Sequence, residues 1–281
     1  MFHVVASTGR TATSFIAECF NALPGIAACH EGHQGNDSGA DLLPLINLEN
    51  HRVFRNPETG ADVVRTKRNS EQLDHAGRSV GAEVVIDVAY YNAILGASIL
   101  EAHPTSKMVG IIRDCESFVR SVTWLTGTDP MPVGWPQPDK ALSARERFIS
   151  MGRIRPTEGP ALEHWPGWGA VERNIWLWQA TNSRLCDARD RWPNRVTLLD
   201  FATASDGIIP LLQSILDALD LSHKPEVAGQ LEYAARFASA RSNKRAGGYQ
   251  IGGCQNWTAP QCEMLQAATT EIEERVNQWK Q

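Results

Sequence analysis

Phe2-His3-Val4-Val5-Ala6-Ser7-Thr8-Gly9-Arg10-Thr11-Ala12-Thr13-Ser14-Phe15-Ile16 is the stretch that decides the fold. Phe2–Ala6 is a short apolar run, the pattern of a buried strand. Ser7-Thr8-Gly9-Arg10 reads as a turn. Thr11–Leu23 then sets Phe15, Ile16, Cys19, Phe20 and Leu23 at helical spacing, the signature of an amphipathic helix. Pro24-Gly25 stops it, and Ile26–Cys29 is a second candidate strand. Strand, turn, helix and strand in this order predict an α/β fold with a parallel sheet.

Working outward, Glu83–Val88, Met108–Ile112 and Arg195–Asp200 are further strands. Helices are predicted over Tyr91–Ala102, Cys115–Leu125, Leu142–Met151, Ala170–Arg191, Ile208–Leu219 and from Thr258 to about Trp279. The expected architecture is one domain over 1–281 with a central parallel sheet of about five strands flanked by helices. Two excursions interrupt it. Residues 32–78 are polar and rich in Gly, Asn and Asp, with short helices expected inside. Residues 127–169 hold seven of the 15 prolines together with Trp135, Trp165 and Trp168. Both are read as lid or acceptor regions. These three tryptophans are read as stacking on a sugar or aromatic acceptor; Trp124, three residues after Ser121 on the same helix, stacks on adenine or fills core, and core is preferred.

Composition bounds the function. The 281 residues are 42% hydrophobic, enough for a full core rather than disorder. A net charge of −5 argues against a broad nucleic-acid surface, so any anion site must be local. Six scattered cysteines without a C-x-x-C pair are neither a disulfide framework nor a zinc knuckle, and point to a reducing compartment. No signal peptide and no apolar run long enough for a membrane helix are found, so a cytoplasmic protein without membrane contact is expected.

The turn at 7–14 carries the chemistry. A turn that leaves a strand and opens a helix presents backbone N–H groups and the positive helix end, a ready phosphate site. Gly9 and Ala12 are small, Arg10 is cationic, and Thr11, Thr13 and Ser14 supply hydroxyls. The bland alternative is a Thr-rich helix cap. The loop lacks the G-x-x-x-x-G-K-[ST] pattern and its magnesium-holding Ser/Thr, and Arg suits clamping an anion without metal. No G-x-G-x-x-G follows a strand, which argues against a dinucleotide fold.

A second candidate is Arg113, at the end of the apolar strand Met108–Ile112, with Ser121 two helical turns further on; Asp114 is the alternative partner for Arg113. A third is Arg241, Lys244 and Arg245 before Gly247-Gly248, or else a solvated basic loop. Three local anion sites on an acidic chain point to a ligand with separated phosphates. His30-Glu31-Gly32-His33 lacks the helical H-E-x-x-H spacing, and Gly32 breaks a helix, so zinc is not expected.

With these motifs in order, the sequence resembles the PAPS-dependent sulfotransferases. In that family a Lys/Arg-Ser/Thr-Gly-Thr/Ser-Thr/Ser loop holds the 5′ phosphosulfate; Arg10-Thr11-Ala12-Thr13-Ser14 matches it except for Ala12 in place of Gly. The family's second motif is an apolar strand ending in Arg-Asp-Pro, with a Ser eight residues after the Arg, both binding the 3′-phosphate. Arg113-Asp114-Cys115 and Ser121 match except for Cys115. Ala22–Gly25, Glu83–Tyr91, Ala102–Ile112, Val196–Ala202 and Gln255–Gln261 resemble other segments in the family's order, and together about two thirds of the chain is covered, the two excursions excepted.

The resemblance implies PAPS as co-substrate, PAP as product, and a small-molecule or glycan acceptor. It also implies a nucleotide site of Gly9, Arg10, Thr11, Ala12, Thr13, Ser14, Arg113, Ser121, Lys244 and Arg245. Arg10 would stabilise the leaving phosphate oxygen and Glu31 would act as base, with His30 and His33 as rivals. Sulfuryl transfer does not oblige a metal, and none is expected. A methyl at Ala12 could crowd the phosphate if that position requires positive φ, and is acceptable in a helical first turn; binding without loss is expected. The alternatives are a P-loop kinase or other nucleotide-dependent phosphotransferase, and a non-catalytic binding protein that keeps the fold.

Overall fold

The computed structural model describes residues 1–32, 49–67, 81–123, 134–138, 141–142, 144, 147, 150–224, 227, 229–241 and 251–279. Five strands form its centre: β1 (Phe2–Ser7), β2 (Ile26–His30), β3 (Val84–Ala89), β4 (Met108–Ile112) and β5 (Val196–Asp200). All pair in parallel, in the order β2-β3-β1-β4-β5. The expected sheet is borne out, and its bounds differ from the sequence reading by a residue or so.

Helices cover both faces. One face carries α1 (Thr13–Asn21), α8 (Ile208–Ala218) and α9 (Leu231–Arg241). The other carries α2 (Asn50–Arg55), α3 (Gly60–Lys67), α4 (Asn92–Ala102), α5 (Cys115–Thr123), α7 (Ala170–Arg191) and α10 (Ala259–Gln278); the short α6 (Gly159–His164) precedes α7. Burial on both faces explains why β1 and β3 are apolar or small nearly throughout rather than alternating with polar residues. Along β1, Val4 enters the core under α4 and α7, while Val5 enters the core under α1 and α8. Gly110 lets β5 and α7 close on β4: a Cβ there would lie 2.5 Å from Leu198 Cδ2.

Helix α9 escapes the sequence reading for a physical reason. Its buried face is Leu231, Ala234, Ala235 and Ala238, while Tyr233 and Phe237 are exposed. Small buried residues and large exposed ones flatten the hydrophobic contrast that periodicity needs. The cysteines also differ from expectation. Cys19, Cys29, Cys115 and Cys186 are free and buried, but Cys254 and Cys262 form a disulfide at the start of α10. Among the described residues no helix is long and apolar enough to cross a membrane.

Strand order locates the site. The chain leaves β1 toward β2 through α1 on one face, and leaves β4 toward β5 through α5 and α7 on the other. The connections diverge at the C-terminal ends of β1 and β4, where open α/β sheets bind ligands. Register brings the pieces level: Ser7 pairs with Ile111, and Val88 pairs with both Val5 and His30. The loop after β1, Arg113 after β4 and Glu31 after β2 therefore leave the sheet along one edge.

Candidate active site

The loop between β1 and α1 is built on Ser7, whose Oγ accepts from the Gly9 N–H and from Thr11 Oγ1, both at 2.9 Å. Ser7, Thr8 and Thr11 are buried. Among the described residues Thr8 Oγ1 has no hydrogen-bond partner, and a buried hydroxyl of that kind is normally satisfied by a ligand or water. Gly9, Arg10 and Ala12 all take left-handed backbone, with φ of 86°, 59° and 58°. Ala12 is the N-cap of α1 and supplies no side-chain cap, so the first-turn N–H groups of α1 are left to another acceptor.

Ala12 therefore does not lie in the helical first turn, where Ala would be unstrained. Left-handed backbone costs an L-residue about 1–2 kcal/mol, while Gly gives back about 0.4–1 kcal/mol through a looser unfolded chain. Ala12→Gly is expected to raise stability by roughly 0.5–1 kcal/mol, read as a shift of the urea midpoint at constant slope. A lower midpoint would contradict the strain.

Arg10 and the second motif meet across the sheet. Arg10 Nε donates to Ser121 Oγ at 2.8 Å. Arg113 Nη1 donates to the Arg10 carbonyl at 2.5 Å, and its Nε to Ser117 Oγ at 2.8 Å. The Arg113 guanidinium lies 5.6 Å from the Phe201 ring centroid, and its carbonyl accepts from Trp178 Nε1 at 2.7 Å. Asp114 Oδ1 accepts from the Ser117 N–H at 2.7 Å and so caps α5. Ser117 was not singled out in the sequence; its signal was a hydroxyl one helical turn after Arg113.

On the other side of the loop, Thr13 Oγ1 lies 3.1 Å from His30 Nε2. His30 Nε2 lies 3.9 Å from Glu31 Oε1, with the two side chains 34% and 22% exposed. Burial, and after it the nearby Asp87 carboxylate, push Glu31 up to about 7. A carboxyl that titrates near neutrality can take a proton under ordinary conditions. Asp87, fully buried on β3, was also not singled out; an acid inside an otherwise apolar strand was its signal.

His33, Trp124, Lys244 and Arg245 lie outside the described residues, and Arg241 ends α9. Trp135, Trp165 and Trp168 pack edge to face, with centroids 5.2 Å apart for the first pair and 5.9 Å for the second. Trp176 joins Trp165 at 5.4 Å, and the Arg173 guanidinium covers Trp165 at 4.9 Å. These rings build a half-buried cluster against α7.

No protein-family model matches the chain. No curated protein matches it in sequence. Among solved structures it is similar to a sulfotransferase from Alicyclobacillus acidocaldarius, at 12% identity over 99% of this chain and 94% of that one, with a TM-score of 0.49. It is similar to mouse sulfotransferase SULT7A1 complexed with PAP, at 11% identity over 97% and 84%, TM-score 0.46. A sulfotransferase domain from the curacin biosynthetic pathway is similar at 12% identity over 96% of each chain, TM-score 0.47.

Proposed function

We propose that the protein is a sulfotransferase that moves the sulfuryl group of PAPS to a hydroxyl of a small-molecule or glycan acceptor. The observation that carries this reading is the joining of two anion motifs into one cluster, through Arg10 Nε on Ser121 Oγ and Arg113 Nη1 on the Arg10 carbonyl. A ligand with two separated phosphates fits such a cluster. Arg10, the orphaned Thr8 hydroxyl and the start of α1 would take the 5′ end; Arg113 and Ser121 would take the 3′-phosphate. Lys244 and Arg245 are proposed as further contacts to that end.

In the reaction the acceptor oxygen forms the new bond to sulfur as the bond from sulfur to the leaving phosphate oxygen breaks. Glu31 takes the acceptor proton, with His30 as its rival. Arg10 supports the charge that grows on the leaving oxygen. Both ionic roles need no metal from this chain. Segments 32–78 and 127–169 are proposed to cover the nucleotide and to select the acceptor.

Thermal shift separates this reading from its rivals. PAP is expected to raise the melting temperature and ATP with magnesium to leave it unchanged. Stabilisation by ATP with magnesium instead would favour a phosphotransferase, and stabilisation by neither a non-catalytic protein. Ala12→Gly is expected to change PAP affinity less than tenfold; a larger gain would mean that the Ala12 methyl crowds the ligand. Incubation with labelled PAPS and a panel of hydroxyl acceptors then reads transfer directly.

A further inference from the structure

Asp87 stands behind the base candidate. Its side chain is fully buried in β3. Oδ1 accepts from the Gly32 N–H at 3.1 Å, and Oδ2 accepts from Asn92 Nδ2 at 3.0 Å. The same Asn92 amide nitrogen lies 3.0 Å from the Asp87 carbonyl and 3.4 Å from that of Val5. The carboxylate thus ties the end of β2 to β3, to the start of α4 and, through Asn92, to β1. Its partner Gly32 lies in an unusual turn: Glu31 and Gly32 are both left-handed, with φ of 54° and 84°. A left-handed Glu is a strained conformation that persists only where its surroundings impose it.

We propose that Asp87 is a positioning residue for Glu31, its buried carboxylate clamping the Gly32 N–H and holding the left-handed turn that sets the Glu31 carboxyl beside His30. This deepens the reading of Glu31 as the base and rests on it. The clamp has a second consequence. Burial is the larger reason that Glu31 holds its proton, and the buried Asp87 carboxylate adds to it by disfavouring the ionised form, so the residue that fixes where Glu31 sits also bears on when it ionises. Among the described residues, the titratable groups beside Glu31 are Asp87 from β3 and His30 from its own strand. Arg10, on the loop before α1, directs its Nε to Ser121.

The test reads the Glu31 carboxyl by carbon NMR, assigned by its loss in Glu31→Gln, with PAPS turnover followed against pH in parallel. Asp87→Asn keeps an oxygen for Gly32 and removes the charge. The Glu31 midpoint is expected to fall while staying above the ordinary carboxylate range, because burial remains, the acidic limb of turnover to move with it, and PAP affinity to hold within about threefold. Asp87→Asn opposes two amide nitrogens at Asn92. The double variant Asp87→Asn with Asn92→Asp restores that hydrogen bond at the cost of the two that Asn92 Nδ2 gives the Asp87 and Val5 carbonyls, moves the charge one side chain away, and where it folds is expected to give a midpoint between the other two. An unmoved midpoint in either folded variant overturns the proposal. So does fast exchange of the Gly32 amide in the unaltered protein, which needs no variant. Titration and exchange do not depend on sulfuryl transfer. A protein that shows both effects yet never turns over PAPS would sink the sulfotransferase reading and leave the clamp standing.

Discussion

Glu31→Gln is expected to remove turnover while leaving PAP bound and the folded protein more stable above neutral pH. A positioned general base contributes about 10²–10⁴-fold to rate, and Gln can accept a hydrogen bond but no proton. Wild-type turnover should therefore rise with pH through about 7, where Glu31 loses its proton, and the variant should be flat and near background. The stability effect has the opposite sign. Burial and Asp87 raise Glu31 in the folded state from 4.5 to about 7. The folded protein then binds more protons than the unfolded chain between those values, so stability falls as pH rises through that window. The favourable contribution is complete below about 4.5 and lost above about 7. Gln escapes this cost, and its gain over wild type at pH 8 should be on the order of 2–3 kcal/mol, shrinking toward nothing in acid. Urea unfolding at both ends of the window reads it. Wild-type activity in the variant would remove Glu31 from the chemistry, and a variant less stable than wild type in alkali would contradict its buried, charged state.

Arg113→Ala is expected to lower PAP affinity by about 100-fold or more, since hydrogen bonds to charged groups are worth about 1.5–3 kcal/mol each. A nucleotide without the 3′-phosphate, such as 5′-AMP, should lose far less. It should not be wholly spared, because Arg113 also holds the Arg10 carbonyl and with it the 5′ loop. A loss of up to about tenfold for 5′-AMP is the expected reach of that indirect effect. Ser121→Ala removes the partner of Arg10 Nε and keeps Arg113, so it should show the same selectivity at smaller amplitude. Calorimetric titration of both nucleotides against each variant gives the ratio that matters. Equal losses for PAP and 5′-AMP would mean that the 3′ site lies elsewhere.

Much of this site is legible in the chain because local rules produce it. The apolar run Phe2–Ala6, the helical spacing from Phe15 to Leu23 and the stop at Pro24-Gly25 depend only on near neighbours, and β1, α1 and β2 follow them within two residues. Arg113 was readable for the same reason: it follows an apolar strand, and strand ends are where open α/β sheets bind. Helix α9 was not, because its Ala-rich buried face and exposed Tyr233 and Phe237 invert the usual contrast.

The sequence by itself determined the α/β order and the strand ends that carry Arg10, Glu31 and Arg113 on an acidic chain. Only the tertiary structure decided that Arg10 reaches Ser121 across 111 positions of sequence, that Ala12 is left-handed, and that Asp87 lies behind Glu31. Secondary structure follows from side-chain pattern over a few residues. Hydrogen bonds between strand ends follow from strand order and register, which depend on how two apolar faces close over one sheet. Left-handed backbone at Ala12 and Glu31 runs against local preference, so no local rule could have found it; the surrounding fold imposes it.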